Sequence, residues 1–223
     1  MFIASARDPR FARTLIYNGA TFKGQPVQSY VGGRNGRPLD GATPTSYYLR
    51  KHIVEATSFV TGSEMSYQHI FPFFRYAEVL LNYAEALAAA TQNPDFTGMK
   101  GEVEYTLSPR EALNAVRARY NMPGITETDY AAFVKRLRNE RRVELAFEGH
   151  RFWDIRRWKI AEECLRPIPK AWNIEGDTPE KFYKLVDMKE NDTRIFTTPK
   201  HYWLAIPNSQ LNINGQLVQN PGY

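Results

Sequence analysis

The first 70 residues of the chain show no helical period of apolar positions. Glycine and proline interrupt short β-favouring runs, of which residues 14–17 and 46–49 are the clearest. Asn18-Gly19 between them is a turn signal that suits a hairpin. The glycines match neither the GxxxxGK nor the GxGxxG pattern of a phosphate loop. The pattern predicts an irregular segment with short strands.

A helical period begins at Phe73 and continues for about 90 residues. The first predicted helix ends at Asn93-Pro94. The second begins at Ser108, where Ser-Pro-Arg-Glu forms a capping box with proline at the first helical position. A third helix begins near residue 126 or 128 and ends near 147, before a turn at Gly149, and a fourth covers about 151–163. The predicted apolar stripes are Phe73, Ala77, Leu80, Ala84 and Leu87, then Ala112, Leu113, Val116 and Tyr120, then Tyr130, Phe133, Leu137 and Leu145.

The four predicted helices form two successive hairpins, over residues 73–120 and 128–163. Helix pairs of this kind stack into solenoids such as tetratricopeptide arrays. We therefore predict a mainly α fold, an α-α superhelix with tetratricopeptide-like helical hairpins, joined to loop-rich segments with short β-strands. After residue 165 the period is lost, and we predict one strand at residues 202–206 followed by loop. No linker separates the parts, so we predict one domain over residues 1–223.

Composition excludes several classes of protein. The 223 residues are 43% hydrophobic and 24% charged, which is typical of globular domains and excludes collagen-like, coiled-coil and disordered chains. Cys164 is the only cysteine, so an intramolecular disulfide and a Cys-rich zinc module are both excluded. No apolar run reaches the roughly 18 residues of a membrane span, and the first residues do not resemble a signal peptide. We expect either a cytosolic protein or a chain without its natural beginning.

The net charge of +5 is concentrated in residues 135–159. This segment holds nine Lys and Arg and four acidic residues, while the rest of the chain is neutral. Because Phe152, Trp153 and Trp158 lie among the cations, a nucleic-acid-binding helix is one interpretation. The four acids oppose it, and the rest of the chain offers no basic platform. We therefore favour a structural role for the charges and expect no nucleic-acid partner.

Three glutamates in this segment, Glu140, Glu144 and Glu148, fall in one row of the third helix. Acids in such a row repel one another unless cations lie among them. We expect those cations from the same helix and from the next one, through bidentate contacts. They are expected to be Arg136, Arg141, Arg151, Arg156 and Arg157. The predicted structural network comprises Glu140, Arg141, Glu144, Glu148, Arg151, Asp154 and Arg157.

The sequence does not show the residue patterns of a catalytic or metal site. A glycosidase needs two carboxylates across a cleft, and the many arginines here would lower the pKa that an acid catalyst requires. None of the four histidines has the Glu-x-x-His spacing of a di-iron site, and no GxSxG nucleophile elbow occurs. We predict a protein that is not an enzyme, with no catalytic residue, no metal and no cofactor.

Two aromatic residues in loop-like segments are candidates for sugar binding. Tyr30 precedes Gly32-Gly33, and Trp172 follows Pro167 and Pro169. An exposed aromatic ring stacks on the apolar face of a sugar, while amide and guanidinium groups bind its hydroxyls. A purely structural role for either ring remains the alternative.

Five segments resemble one known family. They are DPRF at residues 8–11, YYLRK at 47–51, RYAEVLLNYAEA at 75–86, the ER..EL.FEG.R..D..RW block at 140–158, and IP at 206–207 with QNPGY at 219–223. Taken in order, they resemble the SusD/RagB family of outer-membrane glycan-binding lipoproteins of Bacteroidetes. Ser46 stands where the family usually has glycine.

The resemblance implies a helical, tetratricopeptide-like fold without catalysis. It also implies a protein that holds a glycan or other nutrient at the outer-membrane surface and covers a SusC-like TonB-dependent transporter. Family members begin with a signal peptide, a lipid-bearing cysteine and a long helical part, so we expect this chain to be the C-terminal region of such a lipoprotein. Sugar contacts vary within the family, and no binding residue follows from the motifs. A structural or docking role, with the sugar site elsewhere in the protein, is the alternative.

Overall fold

The helices follow the predicted order, with one short helix added at each end. The computed structural model describes residues 7–68, 70–166, 170–172, 181, 183–188 and 195–223. Within these ranges the helices are α1 (Arg10–Thr14), α2 (Tyr76–Thr91), α3 (Pro109–Ala118), α4 (Tyr130–Glu144), α5 (His150–Arg157), α6 (Ala161–Leu165) and α7 (Asn208–Ile213), with a 3-10 turn at Lys200–Tyr202.

The described strands are short and form four antiparallel pairs. Because each strand has only two or three residues, none builds a sheet that could carry the core. The prediction of a mainly α fold with short β-strands is confirmed. The pairs are β1 (Leu15–Ile16) with β4 (Tyr48–Leu49), β2 (Thr21–Phe22) with β3 (Gln25–Pro26), β5 (Gly98–Lys100) with β6 (Val103–Tyr105), and β7 (Lys170–Trp172) with β8 (Leu185–Asp187).

The main core lies where α2, α3 and α4 pack together. Leu81 of α2, Leu113 of α3 and Phe133 of α4 are fully buried in one cluster. The predicted stripes supply most of its members, since residues three or four apart share a helix face. The predicted capping box also forms: the Ser108 hydroxyl accepts from the Glu111 amide at 3.2 Å, and Glu111 Oε2 accepts from the Ser108 amide at 2.8 Å.

Three predicted helix boundaries are wrong. Phe73 lies before α2 and is 84% exposed, so it is no part of the core stripe. The third helix begins at Tyr130, because Asp129 is its N-cap: Asp129 Oδ1 accepts from the Ala132 amide at 2.8 Å in the first turn. The fourth predicted helix is the pair α5 and α6, separated at residues 158–160, where Lys159 has a φ of +56°.

The predicted strand at residues 202–206 is absent, and α7 occupies part of the predicted C-terminal loop. The backbone at Ile206 is engaged by a side chain instead of a strand. Its amide donates to Gln219 Oε1 at 2.8 Å, and Gln219 Nε2 donates to its carbonyl at 2.9 Å. Both hydrogen-bonding groups of a strand residue are therefore already used.

The turn at Asn18-Gly19 forms, with Gly19 at a φ of +84°, but it is not the hairpin turn. The hairpin between β2 and β3 turns instead at Lys23-Gly24, where both residues have positive φ. Within the described ranges, no helix combines the length and the apolar character that crossing a bilayer requires.

Candidate functional site

The row of glutamates predicted on the third helix is buried. Glu140 and Glu144 lie on α4 and Glu148 follows it, and each side chain is at most 3% exposed. Buried carboxylates are stable only when cations and hydrogen-bond donors surround them. The residues that approach this row therefore decide whether it is structural or chemically active.

Arg10 of α1 is the first of these cations. Its guanidinium donates to Glu140 Oε1, to Glu144 Oε2 at 2.8 Å and, through Nε, to Asp8 Oδ1 at 2.9 Å. Burial alone would lower the pKa of Arg10, but these hydrogen bonds outweigh it and raise that pKa above its usual value. Arg117 of α3 donates to the other oxygen of Glu140, Oε2, at 2.7 Å. Both oxygens of Glu140 thus have charged partners.

Arg75 and Lys51 close the other end of the row. Arg75 bridges two acids, with Nη1 donating to Glu144 Oε1 and Nε to Glu148 Oε2, each at 2.6 Å. Lys51 Nζ lies 2.5 Å from Glu148 Oε1. Burial raises the pKa of Glu148, but the hydrogen bonds from Arg75 and Lys51 outweigh it and lower that pKa overall. Glu148 is therefore held as a carboxylate.

The cations expected from the next helix do not reach the row. Arg151 Nη2 donates to Cys164 Sγ at 3.3 Å, and the Arg156 guanidinium lies 3.5 Å from the centre of the Phe152 ring. Arg157 pairs with Asp154, not with the row. The prediction of Arg151, Arg156 and Arg157 as its cations is wrong, because these side chains face other parts of the fold.

The two same-helix partners were also predicted wrongly. Arg136, expected at Glu140, extends into solvent instead, where its 61% exposed side chain pairs with Glu127 at 2.5 Å. Arg141, expected at Glu144, points to α5.

Arg141 belongs to a second buried cluster that joins α2, α4 and α5. Its Nε and Nη2 donate to the two oxygens of Asp154 at 3.1 and 3.2 Å, and its Nη1 donates to Asn82 Oδ1 at 2.6 Å. Arg157 lies on the far side of Asp154, with Nε 2.9 Å from Oδ1, and also donates to Glu85 Oε2 at 2.8 Å. Arg141 and Asp154 thus tie the third helix to the next one.

The first cluster is a neutral, saturated ionic network. Its four acids face four cations, and hydrogen bonds hold every one of these carboxylates. A carboxylate whose oxygens are all held by cations is poorly placed to exchange a proton with a ligand. In the described part of the chain, no group of three or more His, Cys, Asp or Glu residues could hold a metal ion. The members are Asp8, Arg10, Lys51, Arg75, Arg117, Glu140, Glu144 and Glu148.

Trp172, one of the two sugar-binding candidates, is half-buried on β7. Its indole Nε1 donates to the hydroxyl of Tyr47, and its ring lies edge-on to Tyr183 with centroids 5.8 Å apart. Burial raises the pKa of Tyr47. The three rings form an aromatic cluster that combines apolar faces with polar groups.

Tyr30, the other candidate, is half-buried in the glycine-rich loop. The amide of its neighbour Ser29 donates to Asn18 Oδ1 at 3.0 Å, and Asn18 Nδ2 donates to the Tyr183 hydroxyl at 3.1 Å. Gly36 lies so close to the Tyr30 carbonyl that a Cβ atom there would be only 1.9 Å from its oxygen. The glycine therefore fixes the loop, and Asn18 connects the backbone of Ser29, the residue before Tyr30, to Tyr183 beside Trp172.

Sequence reasoning missed the residues that complete both sites. Three of the missed cations lie in three different family-like segments: Arg10, Lys51 and Arg75. Basic residues in separate motifs could have indicated that these segments come together in space around the acidic row. Tyr47 likewise lies in the YYLRK segment. Arg117 lies outside the five family-like segments, so no motif indicated that it would reach Glu140.

Comparison with known proteins identifies the family. The family model described as "SusD family" matches residues 3–223. The chain belongs to the SusD family. SusD-like protein P2 of Formosa agariphila is 32% identical over 154 residues, which are 67% of this chain and 25% of that protein.

Two solved SusD-like structures from Bacteroides fragilis share the fold. One has a TM-score of 0.78 at 27% identity and covers 98% of this chain and 40% of its own. The other, described as a SusD-like carbohydrate-binding protein, has a TM-score of 0.68 at 32% identity and covers 95% and 42%. The chain thus spans about a quarter of the curated relative and two fifths of these structures.

Proposed function

We propose that this chain binds a glycan without cleaving it, as a domain of a SusD-like protein at the outer-membrane surface. The observation that carries the proposal is the family match together with the 32% identity to a carbohydrate-binding SusD-like structure. The saturated ionic network supports it, because the network stabilises the fold and offers no acid catalyst. The protein that contains this chain would then pass its cargo to a SusC-like TonB-dependent transporter.

The candidate contact surface is the aromatic cluster of Trp172, Tyr47 and Tyr183, together with Tyr30, whose neighbour Ser29 is hydrogen-bonded to Asn18. Ligand sites typically combine aromatic walls with a few placed polar groups. Trp172 supplies a half-buried ring, and the amide of Asn18 supplies hydrogen-bonding groups beside Tyr183. Because these rings are only half-buried, part of their apolar surface remains open to a sugar.

Affinity electrophoresis of the chain against a polysaccharide panel tests this proposal. We expect retardation by at least one polysaccharide, and Trp172→Ala or Tyr30→Ala should weaken it roughly tenfold or more, as loss of an aromatic anchor usually does. Trp153→Ala is the matched control, because Trp153 is 58% exposed and lies on α5, outside the cluster.

A separate arm tests the role in uptake. The chain is used to capture a SusC-like transporter, with and without the retarding polysaccharide. Capture of the transporter together with no retardation by any polysaccharide would favour the docking alternative over sugar binding by this domain. Retardation that Trp153→Ala abolishes and Trp172→Ala leaves intact would place the sugar outside the aromatic cluster.

A further inference from the structure

A large groove lies between α4, the start of α5 and α6. Its volume is about 1220 Å³, above the range of roughly 300–1,000 Å³ typical of sites for drug-sized ligands. The groove is therefore large enough for an extended ligand. Its lining includes Tyr130, Lys135, Arg138, Arg142, Arg151 and Cys164.

Four cations of this groove lack a carboxylate partner among the described residues. Lys135 and Arg142 are exposed on α4, and within the described ranges the hydrogen-bond acceptor of Arg151 is the sulfur of Cys164. Arg138 stacks on Trp158 at 4.9 Å, and its Nε is buried without an acceptor in the described part of the chain. These groups contrast with the buried arginines of the network, whose partners are complete.

The acids that line the groove do not neutralise these four cations. Glu127 already pairs with Arg136 at 2.5 Å, and Glu163 is not within ion-pair distance of a cation of the described residues. The groove therefore keeps a positive excess where much of the chain's net charge of +5 resides. A site with one sign of charge along its walls attracts ligands of the opposite sign.

The spacing of the cations suits a ligand with several anionic groups. Lys135, Arg138 and Arg142 follow one another at i, i+3 and i+7 and span roughly 10 Å along α4, at about 1.5 Å per residue. A single small anion would use one of them, whereas a polyanion engages all three. Arginine forks bind carboxylate and sulfate-like oxyanions through two hydrogen bonds each.

We propose that this groove is a second binding site, selective for an anionic glycan that carries carboxylate or sulfate groups. The choice of a glycan over another polyanion rests on the function proposed above. Tyr130 and Asn139 add a ring and an amide to the lining, and these groups suit the sugar rings between the charges.

Matched pairs of polymers test the site on the whole 223-residue chain. Polygalacturonate is compared with its methyl ester, and dextran sulfate with dextran, by affinity electrophoresis and calorimetry at two salt concentrations. We expect at least one anionic polymer to bind, with an affinity that falls as salt rises, and its neutral counterpart not to bind in the groove. Whether polygalacturonate or dextran sulfate binds distinguishes a carboxylate from a sulfate ligand.

Charge-reversal variants locate the binding. Lys135→Glu with Arg142→Glu should weaken binding of the anionic polymer roughly tenfold or more, because two ion contacts become repulsive. Lys100→Glu with Arg119→Glu is the matched control, since it changes the net charge equally at exposed positions outside the groove. The control should stay within about twofold of the parent.

Three results would overturn the proposal. Equal binding of a polymer and its neutral counterpart would exclude selection by charge, and an unaffected groove variant would place the binding elsewhere. Tighter binding of polyglutamate or of single-stranded DNA than of either anionic polysaccharide would assign the groove to another class of partner. After any of these results, binding of neutral glycans in a Trp172-dependent manner would mean that the groove proposal alone has failed. If no glycan binds at all, the proposed function fails as well.

Discussion

Truncation of Arg141 is the sharpest test of the buried charge clusters. Its side chain is 3% exposed and holds Asp154, which is 5% exposed, through two hydrogen bonds. Arg141→Ala would leave Asp154 with Arg157 alone and remove the charged donor from Asn82. Asp154 would remain buried, because the backbone around it belongs to packed helices, whereas the exposed Asn82 can turn to solvent.

The expected cost follows from these lost contacts. Breaking a buried ion pair by removing one partner costs roughly 3–5 kcal/mol. Because Arg157 still faces Asp154, we expect the lower part of that range, about 3 kcal/mol. Such a loss is a large share of the roughly 5–15 kcal/mol that stabilises an ordinary domain, so the variant folds but unfolds at clearly lower urea concentration.

Urea unfolding of the parent, Arg141→Ala and Arg136→Ala measures this cost. Arg136 is the control, because its side chain is 61% exposed and its pair with Glu127 should contribute less than about 1 kcal/mol. The slope of free energy against urea should be the same in all three proteins if they unfold in the same way. A loss below about 1 kcal/mol for Arg141→Ala would refute the reasoning and show that the cluster behaves as a solvated surface.

Two further predictions concern a helix cap and the loss of stability at acidic pH. Ser108→Ala removes the hydroxyl that accepts from the Glu111 amide in the capping box. Thermal unfolding should show that the free energy of unfolding falls by about 1 kcal/mol. No loss would mean that water replaces the cap. The lowered pKa of Glu148 contributes stability that is present above its unfolded pKa and is lost as pH falls through the lower, folded pKa. The urea midpoint of the parent should therefore fall between about pH 5 and pH 2, and that of Glu148→Gln should fall less; parallel curves would contradict the assignment.

Local patterns predicted the helices well because their causes are local. The stripe of Ala112, Leu113 and Val116 is buried as expected, and the capping box at Ser108 forms with its neighbours in sequence. The row of glutamates was also predictable, since helical spacing alone aligns residues four apart. The charge partners of that row were not, because Arg10 and Arg75 lie 134 and 69 residues from Glu144.

Two predicted elements were wrong at residues 73 and 202–206. Periodicity includes Phe73 in the first stripe, but the helix begins only at Tyr76 and leaves that ring in solvent. The run before Pro207 has the composition of a strand, yet the side chain of Gln219 engages the backbone of Ile206. The sequence indicated Tyr30 and Trp172 as candidates, but not the contacts of Trp172 with Tyr47 and Tyr183.

The contact of Arg10 with Glu140 spans 130 residues, which gives it a consequence for folding. Contacts so distant in sequence close large loops and are slow to form, whereas the neighbouring helices α2 and α3 find each other early. We expect Glu140 and Glu144 to remain hydrated until the N-terminal segment arrives, so that docking of α1 is a late, rate-limiting event. A chain shortened past Arg10 would leave each of these acids with a single cation, and α4 should then fray from the bundle.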